Sequence, residues 1–274
     1  MRYRFALVLA AVMLAACAHD DARRHAAGLA RSGGLAREDV RTRDFLLATW
    51  SRFEDPDRPV QVYIEGDGLA WRSRNRLSDD PTPQRAIGLA LAAADRSPNV
   101  VYLARPCQYI DLRANPCDSA WWSGKRFAGE VVRGENEALD ALVRKAPGQA
   151  IHLVGYSGGA AIAVMIAAHR HDVASLRTVA GNLDSEAVNR FHGVSPMPDS
   201  LNPVDYAAAV AHVPQIHFTG IDDEVVPPAV ASNFAAVAGT TNCIAVEAVP
   251  GAGHESGWVE RWPSLFRQVP RCRP

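Results

Sequence analysis

Short apolar runs rich in strand-forming residues alternate along this chain with longer segments whose apolar residues recur at helical spacing. This alternation is typical of an α/β protein, with a mostly parallel sheet covered by helices on both faces. The predicted strands are Phe45–Phe53, Val60–Ile64, Asn99–Leu103, the run that ends at Tyr156, Leu176–Ala180, Gln215–Thr219 and Cys243–Val249; the predicted helices are Ala86–Asp95, Val131–Lys145 and Ala160–Arg170.

Size and charge narrow the classes of protein that fit this pattern. The chain has 274 residues, of which 48% are hydrophobic, and this is enough for one large core. Its formal net charge is -1, and it has no run of lysines and arginines interleaved with aromatic residues. We therefore expect one globular domain over residues 45–274, in a monomer, and no nucleic-acid partner.

The N-terminus has the pattern of an export signal. Met1–Arg4 is basic, and the apolar run Phe5–Ala16 is too short to span a bilayer as a helix. Residues 1–16 are therefore predicted to be a signal peptide. Residues 17–44 are charged and alanine-rich, with Gly33–Gly34 among them and few large apolar side chains. That composition predicts a flexible tether.

The letters before Cys17, Leu-Ala-Ala, resemble the lipobox of bacterial lipoproteins. The resemblance implies that Cys17 carries acyl chains such as palmitate, becomes the mature N-terminus and anchors the protein to a membrane of the bacterial cell envelope. Ala18 in the next position, rather than an aspartate, implies the outer membrane, with the protein facing the periplasm. The alternative is an ordinary cleaved signal followed by an incidental cysteine.

The segment Gly155–Gly159 reads GYSGG and lies between a predicted strand and an alanine-rich predicted helix. This strand, turn and helix resemble the nucleophile elbow of the α/β-hydrolase superfamily, in which glycines allow a sharp turn that exposes the serine hydroxyl. The resemblance implies an α/β-hydrolase fold with Ser157 as the nucleophile.

The turn Glu65–Gly68 follows the second predicted strand and resembles the superfamily's His-Gly-x-Gly turn, although Glu65 replaces the usual histidine. In the superfamily this turn gives a backbone N–H to the oxyanion. By that resemblance Asp67 or Gly68 is the first donor, and the N–H of Gly158 is the second.

Two later turns resemble the parts of the superfamily that complete a Ser-His-Asp triad. The segment 220–227 matches Gly-x-x-Asp-x-x-Val-Pro and implies that Asp223 orients the histidine, with Asp222 and Asp184 as alternatives. His254 lies in a glycine-rich turn after the last strand and is implied to be the base. The order serine, aspartate, histidine is that of the superfamily.

Residues 184–212 are loop-rich and contain several prolines, and they are expected to form a small cap over the active site, as in the superfamily. Tyr156, Trp71 and Trp258 are the candidate substrate-binding residues, and Trp121 and Trp122 could line the same pocket. The alternative for each tryptophan is packing in the core or at the rim of the pocket.

The remaining four cysteines are Cys107, Cys117, Cys243 and Cys272, and an even number in an exported protein predicts two disulfides. Three connectivities exist. We favour Cys107 with Cys117 and Cys243 with Cys272, because each pair is local to one region. No Cys-x-x-Cys or neighbouring histidine spacing predicts a metal site.

The sequence therefore predicts a serine hydrolase that acts on a small-molecule acyl ester, through an acyl-enzyme, and needs no cofactor or metal. The segments VYIEGDG, LARPCQY, GYSGG, AGNLD and SLNP resemble a group of bacterial α/β-hydrolase lipoproteins, which supports the fold and indicates no substrate. The alternatives are a thioesterase or acyltransferase with the same triad, and an envelope binding or assembly lipoprotein on a hydrolase scaffold.

Overall fold

A mixed β-sheet forms the centre of the protein in a computed structural model that describes residues 20–115, 117–240 and 242–273. The predicted signal peptide and the predicted lipidation site, Cys17, lie outside the described residues. The strands of the central sheet are β1 (Ala36–Arg41), β2 (Leu46–Phe53), β3 (Val60–Ile64), β6 (Asn99–Leu103), β7 (Ile151–Tyr156), β8 (Val173–Val179), β9 (Gln215–Gly220) and β10 (Ile244–Val249), and β4 (Trp71–Ser73) pairs with β5 (Arg76–Leu77) in a separate hairpin.

The order across the central sheet is β1-β2-β6-β3-β7-β8-β9-β10. Strands β1, β2 and β6 pair antiparallel, and all pairs from β6 to β10 are parallel. The α-helices are α1 (residues 20–32), α2 (Ile87–Ala94), α3 (Gly129–Val143), α4 (Gly158–Ala167), α5 (Ser185–His192), α6 (Ala229–Val237) and α7 (Trp262–Phe266).

Alternating side chains of the central strands build a separate hydrophobic core on each face. Val62 and Ile64 of β3 join the core formed with α3, α4 and α6, whereas Tyr63 joins the core formed with α1, α2 and α7. This alternation follows from the two-residue period of a strand. The structure therefore confirms the predicted α/β fold with a mostly parallel sheet and helices on both faces.

The prediction of a flexible tether was wrong for residues 20–44. These residues form α1 and the edge strand β1, and the alanines Ala22, Ala26 and Ala30 are buried on one side of α1. These residues include few large apolar side chains, but a row of alanines four residues apart lets a helix approach its neighbours closely. Gly33 then passes so near α2 that a Cβ there would overlap the backbone of Ala93.

The predicted cap is more ordered than its composition indicated. Residues 184–212 contain α5 and a short 3-10 helix, Pro203–Tyr206, and Val188, Ala207 and Val210 pack on the core beside α4. The loop between these two helices carries the proline-containing stretch. Among the described residues, no helix combines the length and the apolar character that crossing a membrane requires.

The packing of α1 can be tested with a matched pair of substitutions. We expect Ala26→Asp to lower the free energy of unfolding by ~3 kcal/mol, because the new carboxylate is buried without a partner. Ala27→Asp is the control, since its side chain is exposed on the same helix. Urea unfolding measures both variants, and equal stabilities would contradict the packing of α1 on the domain.

His217 on β9 should make stability fall in mild acid. Its side chain is fully buried beside Thr178, and burial lowers its pKa to about 3. Between pH 7.5 and 5 the unfolded chain binds a proton at the histidine and the folded chain does not, so the folded state loses ~2 kcal/mol. We expect His217→Gln to remove this part of the pH dependence in urea unfolding; an unchanged slope would contradict a neutral buried imidazole.

Candidate active site

Ser157 stands on a strained turn between β7 and α4. Its backbone has φ 50 and ψ -119, a conformation that residues with a side chain rarely adopt. The turn closes so tightly that a Cβ on Gly159 would overlap the carbonyl oxygen of Ile64 at the end of β3. The glycines of the motif are therefore required by close backbone contact, and the serine side chain is presented at the carboxyl end of the sheet.

Ser157, His254 and Asp223 are linked by hydrogen bonds. Ser157 Oγ lies 2.9 Å from His254 Nε2, and His254 Nδ1 lies 2.9 Å from Asp223 Oδ2. A carboxylate can only accept, so the imidazole carries its proton on Nδ1 and leaves Nε2 free to accept from the serine hydroxyl. The arrangement can activate the hydroxyl as a nucleophile.

The carboxylate of Asp223 is fixed by its own turn. Its side chain is fully buried, and Oδ1 accepts hydrogen bonds from the N–H groups of Val225 at 2.9 Å and Val226 at 2.8 Å. The two alternatives lie elsewhere. Asp222 is exposed, and Asp184 caps the N-terminus of α5 by accepting from Ala187 N–H at 3.0 Å. The structure brings Asp223 alone of these three to His254.

The turn that carries His254 rests on two aromatic residues. Trp258 Nε1 donates to the carbonyl oxygen of Gly253 at 2.7 Å, and the hydroxyl of Tyr156 donates to that of His254 at 3.1 Å. Trp258 is fully buried beneath the turn and does not line the cavity, so its prediction as a substrate-binding residue was wrong. Trp258, which follows the glycine-rich turn in sequence, therefore supports that turn.

The turn after β3 lies against the elbow. The carboxylate of Glu65 is buried and accepts from the N–H groups of Gly66, Gly88 and Leu89, and from the hydroxyl of Tyr102. Burial raises the pKa of Glu65, while these four hydrogen bonds act in the opposite direction. Glu65 thus ties the turn to the N-terminus of α2, a role that its place in the motif did not reveal.

The two predicted donors of this turn are alike in their hydrogen bonding and differ in their contacts. Among the described residues, no hydrogen-bond acceptor pairs with the N–H of Asp67, of Gly68 or of Gly158. Gly68 has φ +66, and a Cβ there would overlap the carbonyl oxygen of Pro81. Gly68 therefore allows the chain to turn close to Pro81, whereas the side chain of Asp67 packs against Gly158.

A cavity of about 1000 Å³ contains the Ser157 and His254 side chains. Tyr156 and Trp71 line it as predicted, and Trp71 is 45% exposed at its rim. Trp121 and Trp122 lie outside the lining. Cap residues 188–189 and 192–197 form another wall, and His192 Nε2 lies 2.8 Å from the carbonyl oxygen of Val225, next to the aspartate turn. The predicted cap therefore lies over the site.

Three arginines of the cavity lining, Arg74, Arg85 and Arg126, were not predicted. They lie outside the recognisable motifs, where the sequence does not distinguish a cavity residue from a surface residue.

The structure joins Cys107 to Cys117 and Cys243 to Cys272, the pairs that local position favoured. In the described part of the chain, no group of three or more histidine, cysteine, aspartate or glutamate side chains could hold a metal ion.

Solved structures with a similar fold include serine hydrolases and an esterase. An α-β serine hydrolase homologue from Coxiella burnetii is 18% identical, with a TM-score of 0.55, and the match covers 85% of this chain and 94% of that one. Est1E from Butyrivibrio proteoclasticus is 12% identical, with a TM-score of 0.60 and coverages of 84% and 96%. The Pyrococcus furiosus esterase PF2001 is 13% identical, with a TM-score of 0.57 and coverages of 87% and 90%.

These likenesses show the fold, and none of the curated proteins compared with the chain matches it. The family model of the FSH1 serine hydrolases matches residues 100–249, which is more than half of the chain. The matched stretch includes Ser157 and Asp223, and His254 lies five residues beyond its end. The protein is an α/β-hydrolase and belongs to the FSH1 family of serine hydrolases.

Proposed function

We propose that the protein hydrolyses carboxylic esters through Ser157, His254 and Asp223, with an acyl-enzyme intermediate. The observation that carries the proposal is the pair of 2.9 Å contacts that runs from Ser157 Oγ through the imidazole to the buried carboxylate of Asp223. The complete triad argues against a binding protein on an idle scaffold. The Pyrococcus furiosus neighbour is itself an esterase.

In the acylation step Ser157 Oγ attacks the carbonyl carbon of the ester while His254 Nε2 takes the hydroxyl proton. The carbonyl oxygen becomes the oxyanion of a tetrahedral intermediate, and collapse of this intermediate re-forms the carbonyl and breaks the bond to the alkoxy group. The imidazolium returns the proton to that leaving group, so an alcohol departs and Ser157 carries the acyl group. Asp223 stabilises the imidazolium and keeps its Nδ1 proton in place.

In the deacylation step a water molecule gives a proton to His254 Nε2 and attacks the acyl-enzyme, which releases a carboxylic acid and restores Ser157. Exposed lining residues, among them Trp71 and Val194, open the cavity to solvent and give water a path to the acyl group. The same triad would serve thioesters or acyl transfer. Access for water favours hydrolysis.

The unpaired N–H groups of Asp67 and Gly158 are our proposed oxyanion donors, and Asp67 is chosen over Gly68 because its side chain packs against Gly158. Gly158 begins α4, so its N–H also lies at the positive end of a helix dipole. Donors that are held in place before the reaction stabilise the developing charge without further reorganisation. The cavity volume of about 1000 Å³ has room for an acyl chain as well as an alcohol group.

Ser157→Ala should abolish turnover of p-nitrophenyl esters of two to eight carbons and leave the thermal unfolding midpoint close to that of the wild type, because only the nucleophile is lost. Steady-state rates and circular dichroism measure the two effects. Ester turnover that persists in the folded variant would contradict the assignment of Ser157.

The two neighbouring aspartates offer a sharper test of the triad. Asp223→Asn should lower kcat by ~10⁴-fold, because the amide no longer holds the imidazole in the tautomer that accepts the serine proton. Asp222→Asn is the matched control and should retain wild-type kcat, since that side chain is exposed. Equal losses in both variants, or a loss in the control alone, would overturn the choice of Asp223.

A further inference from the structure

The carboxylate of Asp67 lies at an unexpected place for the proposed chemistry. A Cβ on Gly158 would overlap Asp67 Oδ1, so this carboxylate packs directly on the first residue of α4. Asp67 lines the cavity together with Ser157 and His254. A negative charge here opposes ester hydrolysis, because the oxyanion develops a second negative charge beside the same backbone groups.

Two arginines hold and neutralise this carboxylate. Arg105 Nη1 donates to Asp67 Oδ1 at 3.2 Å, and Arg126 Nε lies 3.1 Å from Asp67 Oδ2. Each oxygen of the carboxylate therefore lies beside a cation. The Arg105 side chain is 4% exposed and that of Arg126 is 16% exposed, so solvent screens these pairs weakly.

The two arginines are themselves fixed by their surroundings. Both guanidinium groups stack on the buried ring of Phe127, with centroid distances of 5.4 Å for Arg105 and 5.3 Å for Arg126. Arg105 also donates to the carbonyl oxygen of Arg126 and, at 2.7 Å, to the buried carboxylate of Glu135. The arrangement is therefore built from the chain's interior and not from mobile surface side chains.

The backbone of the turn is fixed on its other side. Gln108 Nε2 donates to the carbonyl oxygen of Gly66 at 3.0 Å, and Gln108 Oε1 accepts from the N–H of Arg105 at 3.1 Å. The segment that supplies Arg105 thus holds both the backbone before Asp67 and the Asp67 side chain. With both parts fixed, Asp67 keeps its place against Gly158.

We propose that Arg105 and Arg126 are positioning residues for the oxyanion site: they hold the Asp67 carboxylate against Gly158 and cancel its charge. This inference rests on the proposed function, since it concerns the same reaction. It means that two arginines outside the triad influence kcat, and that they do so through Asp67. Neither arginine needs to touch the reacting carbonyl.

The test uses the full chain and two assays. The rate at which a fluorophosphonate labels Ser157 reports on the oxyanion site, because the phosphoryl oxygen of the adduct occupies it, and a neutral p-nitrophenyl ester gives kcat and KM. Arg126→Gln should lower the labelling rate and kcat by ~30-fold, less than the loss of an oxyanion donor itself. KM should stay within about threefold, as expected for an interaction that acts in the transition state.

The double variant separates charge cancellation from simple structural support. With Asp67→Asn added to Arg126→Gln there is no carboxylate left to neutralise, so kcat should recover to within about fivefold of the wild type, a strongly non-additive result. A purely structural arginine would give a double variant that is no better than Arg126→Gln. Arg126→Lys, which keeps the charge, should lie between the wild type and Arg126→Gln, and it replaces the latter if that variant fails to fold.

Arg170→Gln is the matched control. Like the two arginines of the proposal, Arg170 pairs with carboxylates, here those of Asp140 and Asp172, and its side chain is 10% exposed. It lies at the opposite end of α4 from Ser157. Its loss should leave kcat and the labelling rate unchanged. If the wild type is labelled at Ser157 but Arg126→Gln keeps the wild-type kcat and labelling rate, the arginine proposal alone is overturned. The same holds if kcat does not recover in the double variant. A wild type that is not labelled at Ser157 would overturn the proposed function and this inference together.

Discussion

The turn after β3 and the first turn of α4 are in close contact through backbone and side-chain atoms, and the rest of the site is arranged around that contact. Gly159 leaves no room for a Cβ against the carbonyl oxygen of Ile64, and Gly158 leaves none against the carboxylate of Asp67. The parallel pairing of β3 with β7 brings the two turns to the same edge of the sheet. The strained backbone of Ser157 is held between them.

Buried carboxylates hold the loops around this contact. Glu65 fixes the turn after β3 by accepting from three N–H groups and a tyrosine hydroxyl, and Asp223 fixes the turn after β9 by accepting from two N–H groups. A buried carboxylate without such partners would be strongly destabilising, so these bonds specify one loop conformation. The same residues therefore stabilise the domain and keep the site in place before substrate binds.

Sequence predicted the parts of the protein that depend on local pattern. The runs at Val60–Ile64 and Asn99–Leu103 are strands whose apolar residues alternate between the two cores, and the motif around Ser157 marks its turn by its glycines. The order of serine, aspartate and histidine identified three residues that the fold brings within hydrogen-bonding distance.

The remaining features depend on contacts distant in sequence. Helix α1 is held by a row of alanines whose burial becomes visible only in the core that they share with α2 and other elements, and Trp258 faces the turn of His254 instead of the cavity. The pairing of Asp67 with Arg105 and Arg126 joins three segments that no sequence spacing relates. Side-chain roles of this kind can be predicted only when the fold is known, whereas the role of Ser157 in the elbow can be predicted from the local sequence.

Covalent labelling of the purified protein by a fluorophosphonate, with the modified peptide located by mass spectrometry, tests whether Ser157 is an activated nucleophile. We expect a single label on Ser157 that is lost in His254→Ala and kept in His171→Ala, because the His171 side chain is exposed and does not line the cavity. A folded protein that takes no label at Ser157, or that is labelled equally well without His254, would contradict an activated serine at this elbow.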